Sequence, residues 1–322
     1  MTPTFGDVCA AGERIASYVN RTPVMTSRTL DERAGTNVFL KCETFQRSGA
    51  FKARGALNAV LQLSEAEASR GVAAHSSGNH AGALAMAARE RGIPCYVVMP
   101  TGVPRAKVDA VRAYGGHVIE CEPTLDAREA RLAEVLQETG AHEVHPYDDA
   151  RVIAGAGTAC LELLTEHPDL DLVIAPVSGG GLLSGTAIAA HGVDPQCRVW
   201  GAEPAGADDA YRSLERGALV PRNEGSTIAD GLLAELSAQT FAILSAHIEG
   251  IVRVSDDEIV DAMRFLFERC KLVVEPSGAV GLAGVFSFPE ALPDRVGVIL
   301  SGGNLDLSTG NIWREETEHV QS

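Results

Sequence analysis

The sequence predicts an α/β fold with parallel-rich sheets and helices on both faces, and three observations predict it. Short apolar runs alternate with helix-prone segments along most of the 322 residues, the strand–turn–helix rhythm of parallel sheets. Runs such as Leu172-Val173-Ile174-Ala175 are apolar throughout, as in strands covered on both faces. Clusters of small polar residues and glycine lie at or near the carboxyl ends of the apolar runs, where open α/β sheets gather ligands.

In chain order, Val8 to Val19 reads as an amphipathic helix and Asn37 to Lys41 as a strand. A helix-prone run from Ala56 to Leu61 follows the turn at Ser48-Gly49-Ala50-Phe51-Lys52. The strand Gly71–His75 ends in Ser76-Ser77-Gly78-Asn79-His80 and an Ala-rich helix to about Arg91. Cys95–Pro100 and His117–Cys121 are further strands, with helices over Arg105–Tyr114 and through Arg128, Leu132 and Val135. Asp171–Val177 runs into Ser178-Gly179-Gly180-Gly181-Leu182 and a helix. Arg198–Glu203 is a strand, Asp256–Cys270 a long amphipathic helix, and Val296–Leu300 a strand ending in Ser301-Gly302-Gly303-Asn304.

A net charge of −16 argues against nucleic acid or an anionic membrane surface as partner. No apolar run approaches the length of a membrane span, and the first residues lack the basic and apolar regions of a signal peptide. The seven cysteines are scattered, odd in number and never spaced C-x-x-C, so they read as free thiols of a cytoplasmic protein.

Five features offer chemistry. Lys52 stands at a helix start, where a cation is disfavoured and an amine is easier to deprotonate, which suits a Schiff-base lysine, or it is an ordinary surface lysine. The Ser178–Gly181 loop fits neither G-x-x-x-x-G-K-[ST] nor G-x-G-x-x-G; its backbone amides suit a single phosphate, or it is a turn that permits close packing. Ser76–His80 could hold a carboxylate or a phenolic oxygen, or Ser77 or Asn79 could simply cap the helix. Glu203 and Asp209 flank a loop whose carbonyl could join them on a hard cation, or they are solvated acids. Arg128, in the first turn of its helix, could clamp a carboxylate or pair with Asp126 or Glu129.

Together, Lys41-Cys42-Glu43-Thr44-Phe45-Gln46-Arg47-Ser48-Gly49-Ala50-Phe51-Lys52, Ser76 to His80, Ser178 to Gly181 and Ser301 to Asn304 resemble the fold-type II pyridoxal-phosphate enzymes, nearly end to end. The nearest branch is that of serine racemase and serine/threonine dehydratase, including threo-3-hydroxyaspartate ammonia-lyase. The resemblance implies a two-lobed fold like that of tryptophan synthase β. Residues 1–70 and 148–322 would form the large cofactor-binding lobe and 71–147 a small mobile one. It implies pyridoxal 5′-phosphate, a small amino-acid substrate and a homodimer.

By the same resemblance, Lys52 carries the cofactor, Phe51 packs by its ring and Asn79 holds its phenolic oxygen. Backbone amides of Ser178, Gly179, Gly180, Gly181 and Leu182 hold the phosphate. Ser301 meets the pyridine nitrogen; a hydroxyl there leaves it largely unprotonated, which favours elimination over transamination. Ser76, Asn79 and His80 bind the substrate carboxylate. Ser77 matches the serine that racemases place on the cofactor face opposite the lysine, and Arg128 the arginine associated with β-carboxylated substrates. Glu203, the Ala207 carbonyl and Asp209 match a divalent-cation site for Mg²⁺ or Ca²⁺, with Mn²⁺ as a further candidate.

The implied reaction is conversion of L-serine, L-threonine or a related β-hydroxy amino acid such as L-threo-3-hydroxyaspartate to a 2-oxo acid and ammonia. The alternative is serine racemisation by Lys52 and Ser77 from opposite faces. Two departures stand out: Ala50 replaces the commoner serine, and Gly82 stands where mammalian racemases carry a glutamine that contacts ATP. The length leaves no room for a regulatory domain, so feedback control by isoleucine is not expected.

Overall fold

A computed structural model describes residues 2–305; Met1 and residues 306–322, the latter assigned above to the large lobe, lie outside the described residues. In chain order the strands are β1 (Val24–Met25), β2 (Asn37–Cys42), β3 (Val72–His75), β4 (Cys95–Pro100), β5 (His117–Cys121), β6 (His142–Glu143), β7 (Leu172–Pro176), β8 (Arg198–Pro204), β9 (Gly250–Val254) and β10 (Arg295–Leu300). They make a six-stranded sheet ordered β1-β2-β10-β7-β8-β9 and a four-stranded sheet ordered β5-β4-β3-β6. Pairing is parallel throughout except between β1 and β2. The two-residue β1 and β6 are too short to be read from sequence, and β9, although Ile251, Val252 and Val254 are apolar, is not among the strands predicted above.

The order of the large sheet decides where the site lies. β2, β10 and β7 are neighbours in register, with Leu300 opposite Cys42 and Val298 opposite Ile174. The segments leaving their carboxyl ends carry the Lys52 turn, Ser301–Asn304 and Ser178–Gly181, so sheet order alone brings three of the clusters together. Ser76–His80 leaves β3 of the small sheet and reaches them from the other side.

Helix Ala150–Glu166, unpredicted from sequence, is the spine of the molecule. A Cβ at Gly155 would lie 2.6 Å from the Arg54 carbonyl, and one at Gly157 2.6 Å from the Gly185 carbonyl. Only glycine lets this helix meet helices Lys52–Leu61 and Gly181–Val193 backbone to backbone, which fixes the lysine and the glycine loop on one rigid support. The core of the small sheet also takes in Ala53, Ala56, Leu57 and Val60, so the Lys52 helix joins that core while resting on helix Ala150–Glu166.

Two boundaries move. The first helix runs Phe5–Ile15 rather than Val8–Val19, because Thr4 and Asp7 form a capping box. The helix read as Asp256–Cys270 is α-helical only to Phe265; Leu266–Cys270 is a π turn ended by Lys271 at φ 61°.

Candidate active site

Two 3₁₀ turns, Glu43–Phe45 and Arg47–Gly49, carry the chain from β2 to Lys52, the first residue of its helix. The turn reverses at Ser48 (φ 58°) and Gly49 (φ 76°). It is stitched to the end of β10: the Phe51 N–H donates to the Ser301 carbonyl and the Gly303 N–H to that of Gly49, both at 2.9 Å. Asn304 Nδ2 donates to the Ser48 carbonyl at 2.8 Å.

Lys52 as a residue is half-buried, but protein surrounds its amine, which donates to the Pro146 carbonyl at 2.7 Å and lies 5.1 Å from the Phe51 ring centre. Burial pulls its pKa down to about 8. Desolvation is thus the dominant cause, where the sequence reading invoked the helix dipole.

The glycine loop opens helix Gly181–Val193 with Gly180 at φ 88°, and no side chain caps the helix start. A Cβ at Gly179 would lie 2.5 Å from the Tyr147 ring, so the loop's lack of side chains is what lets that ring lie against it. The Ser178 hydroxyl accepts from the Ala234 N–H at 3.0 Å and donates to the Ala234 carbonyl at 3.2 Å. Uncapped amides at a helix start, with a tied hydroxyl and no side chains in the way, fit a phosphate.

Asn79 Nδ2 donates to Glu275 Oε1 at 2.6 Å, and its Oδ1 accepts from Asn304 Nδ2 at 2.8 Å. One amide hydrogen of Asn79 remains for a further acceptor. Burial pushes the Glu275 carboxyl up to about 7. The buried Ser301 hydroxyl makes only a 3.5 Å contact with the Ser277 carbonyl, which leaves it available to a ring nitrogen.

The Ser76 hydroxyl accepts from the Gly78 N–H at 3.3 Å, and Ser77 is half-buried with no hydrogen-bond partner among the described residues. His80 is buried, and burial first, then the Lys52 charge, presses its pKa down to about 3, so its ring is neutral. Its Nε2 faces the Val144 carbonyl at 2.8 Å and must carry the proton, while Nδ1 is buried without a partner. Nδ1 therefore accepts and cannot donate to a carboxylate; what His80 offers an anion is its backbone amide in the first turn of helix Asn79–Arg91.

Arg128 lies in the first turn of helix Leu125–Thr139, half-buried, and donates to the Thr124 carbonyl at 3.4 Å. It makes no ion pair among the described residues, with Asp126 and Glu129 or otherwise. Its charge depresses the pKa of His75, second to burial, which places it beside the residue preceding Ser76.

Glu203, at the end of β8, accepts from the Ala210 N–H at 2.9 Å and the Tyr211 N–H at 2.8 Å, and Ala207 closes the intervening 3₁₀ turn. Asp209 Oδ2 is buried with no partner. Burial pushes Glu203 up to about 8 and Asp209 up to about 6, and each carboxyl also feels nearby acids. Desolvated acids with an orphaned oxygen fit a cation, although among the described residues no group of three His, Cys, Asp or Glu converges to hold one.

Sequence reasoning missed Pro146, Tyr147 and Glu275. Glu275 stands directly before the proline that opens helix Pro276–Phe286, an acid at a helix start, but nothing in that pattern points to Asn79. Among the described residues no helix is long and apolar enough to cross a membrane.

Comparison with known proteins places the fold and the family. The family described as pyridoxal-phosphate dependent enzyme matches residues 15–302. The chain is 51% identical over 306 residues to the beta-hydroxyaspartate dehydratase of Paracoccus denitrificans, covering 95% of this chain and 97% of that protein. It is 47% identical over 309 residues to a serine racemase of Arabidopsis thaliana, covering 94% and 93%. The solved structure of maize serine racemase superposes with a TM-score of 0.94 at 43% identity, covering 96% of each chain. The chain belongs to the pyridoxal-phosphate-dependent enzymes of fold type II.

Proposed function

We propose that this enzyme is an ammonia-lyase for β-hydroxy amino acids, with substrates of the L-threo-3-hydroxyaspartate type preferred over L-serine and L-threonine. The observation that carries the substrate reading is Arg128, a half-buried guanidinium without an ion-pair partner among the described residues, beside His75 and the Ser76–His80 turn. A second substrate carboxylate would supply the missing partner. The dehydratase named above supports the same reading.

The residues present fit pyridoxal phosphate: Lys52, Phe51, Asn79 and Ser301 around its ring, and the Ser178–Leu182 amides on its phosphate. When bound, the cofactor withdraws electrons from the substrate α-carbon and makes its proton labile. Backbone amides at Ser76–His80 orient the α-carboxylate. Lys52 Nζ would accept the α-proton, and burial, by pulling its pKa down to about 8, leaves more of it unprotonated at mildly alkaline pH than a solvated lysine has. Loss of the β-hydroxyl leaves an enamino acid, which water converts to a 2-oxo acid and ammonia. Residues 71–147 form the small lobe that closes over substrate; the Lys107–Asp230 ion pair at 2.6 Å supports such a closure across the cleft. Glu203, Asp209 and the Ala207 carbonyl hold Mg²⁺ or Ca²⁺. The resemblance also implies a homodimer, whose mass light scattering reads.

Ser77 favours a second reading: its partnerless hydroxyl is a candidate to return a proton from the opposite face, giving racemisation. Proton NMR of the cofactor-loaded enzyme with each substrate, with chiral analysis of the residue, tests both. Faster 2-oxo acid formation from 3-hydroxyaspartate, reduced about tenfold or more in Arg128→Ala while serine turnover changes little, is the expected result. Equal losses on both substrates would remove Arg128 from recognition, and D-serine accumulating ahead of pyruvate would make the enzyme a racemase.

A further inference from the structure

We propose that His191 and His247 form a chelating site for a first-row divalent cation that prefers imidazole, such as Zn²⁺, Ni²⁺ or Cu²⁺. His191 lies in the last turn of helix Gly181–Val193, and His247 ends helix Ala238–His247. Their Nδ1 atoms are 3.3 Å apart, with ring centres 5.5 Å apart and planes tilted by 49°. Two nitrogens bound at about 2.0–2.1 Å to one tetrahedral cation lie about 3.3–3.4 Å apart. The same separation also admits an N–H···N hydrogen bond between the rings. A hydrogen bond would use one lone pair of the two, whereas a cation uses both.

The surroundings suit such a cation. His191 is half-buried at the end of its helix, with its ring against that of His247. Glu249, held by Arg198 at 2.6 Å and Trp200 at 3.0 Å, lies within electrostatic reach of His191 and adds negative charge. His247 is exposed, so water completes the coordination. Nitrogen ligands set this site apart from the oxygen ligands of Glu203 and Asp209.

The position has a mechanical consequence. The helix of His191 begins at Gly180 of the glycine loop, and that of His247 begins after Ser237, where a Cβ on Gly180 would lie 2.7 Å from Thr240 Cβ. A cation at their far ends clips the glycine-loop helix to the helix packed against its start, and so stabilises the folded protein.

The test is titration of cofactor-loaded, EDTA-stripped enzyme with Ni²⁺ and with Zn²⁺, by calorimetry and by thermal unfolding. Wild type is compared with His191→Ala and His247→Ala. Cys9, Cys121 and Cys270 are partly exposed thiols, so the difference between proteins is the readout rather than total uptake. The expected result is one equivalent bound by wild type, weakened more than about tenfold in each variant, with the metal-induced rise in Tm lost in both. Excess Mg²⁺ leaves it bound. Identical isotherms in all three proteins, or loss in only one variant, would overturn the shared site.

Discussion

The Asn79 side-chain amide donates to Glu275 Oε1 at 2.6 Å, joining the turn after β3 to the start of helix Pro276–Phe286. Burial lifts this carboxyl from 4.5 to about 7, so the native protein holds its proton more tightly than the unfolded chain does. Stability on this account falls as pH rises from about 4.5 to about 7 and levels off above. Glu275→Gln removes the titration while its amide oxygen still accepts from Asn79. Chemical denaturation should show the variant gaining on wild type across that window, by up to about 3 kcal/mol. A difference that stays flat with pH would mean that folding leaves the Glu275 pKa unshifted.

Lys52 makes a kinetic prediction. Its amine attacks an aldehyde only when unprotonated, and burial has pulled its pKa down to about 8. The rate at which cofactor-free protein captures pyridoxal phosphate, followed by visible absorbance, should rise with pH to a plateau just above 8. A solvated lysine would go on gaining towards about pH 10.4, and that profile would contradict an enclosed amine. Lys52→Ala should lose the absorbance band and turnover together.

Asp209 Oδ2 is buried without a partner near Glu203, itself held by two backbone amides. EDTA should lower activity and Tm, Mg²⁺ or Ca²⁺ should restore both, and Asp209→Asn should be insensitive to either. Wild-type protein indifferent to EDTA and to added cation would remove the cation from this loop.

Much of the site was legible because glycine and small polar residues after apolar runs have few uses, and the order of β2, β10 and β7 brings their carboxyl-end segments together. What stayed hidden depends on contacts between distant segments. That the His80 ring proton goes to the Val144 carbonyl, leaving only its backbone amide for an anion, follows from a contact with a segment 64 residues away. Pro146 enters through a backbone carbonyl, which any residue type supplies. Helix Ala150–Glu166 carries Gly155 and Gly157, which read locally as weak helix formers; only their contacts with Arg54 and Gly185 show why they are there.

Behind the lysine helix lies a network that charge counting alone would place on the surface. Arg54, two residues after Lys52, is fully buried with Glu43, to which it donates from Nε and Nη2 at 2.8 Å each. Its Nη1 reaches Glu162 at 2.7 Å, and buried Lys41 donates to the same carboxylate at 2.6 Å. The network ties β2, the Lys52 helix and helix Ala150–Glu166 together immediately behind the reactive amine. Removing one partner strands a buried charge, so Arg54→Ala should cost about 3–5 kcal/mol by chemical denaturation. Arg54→Lys should recover only part, because an ammonium cannot reproduce the two-pronged contact. Pairing Arg54→Met with Glu43→Gln should be milder than Arg54→Ala alone, since no carboxylate is then left unpaired at residue 43. If Arg54→Ala loses less than about 1 kcal/mol, water must reach the stranded Glu43, and the network is not what anchors Lys52.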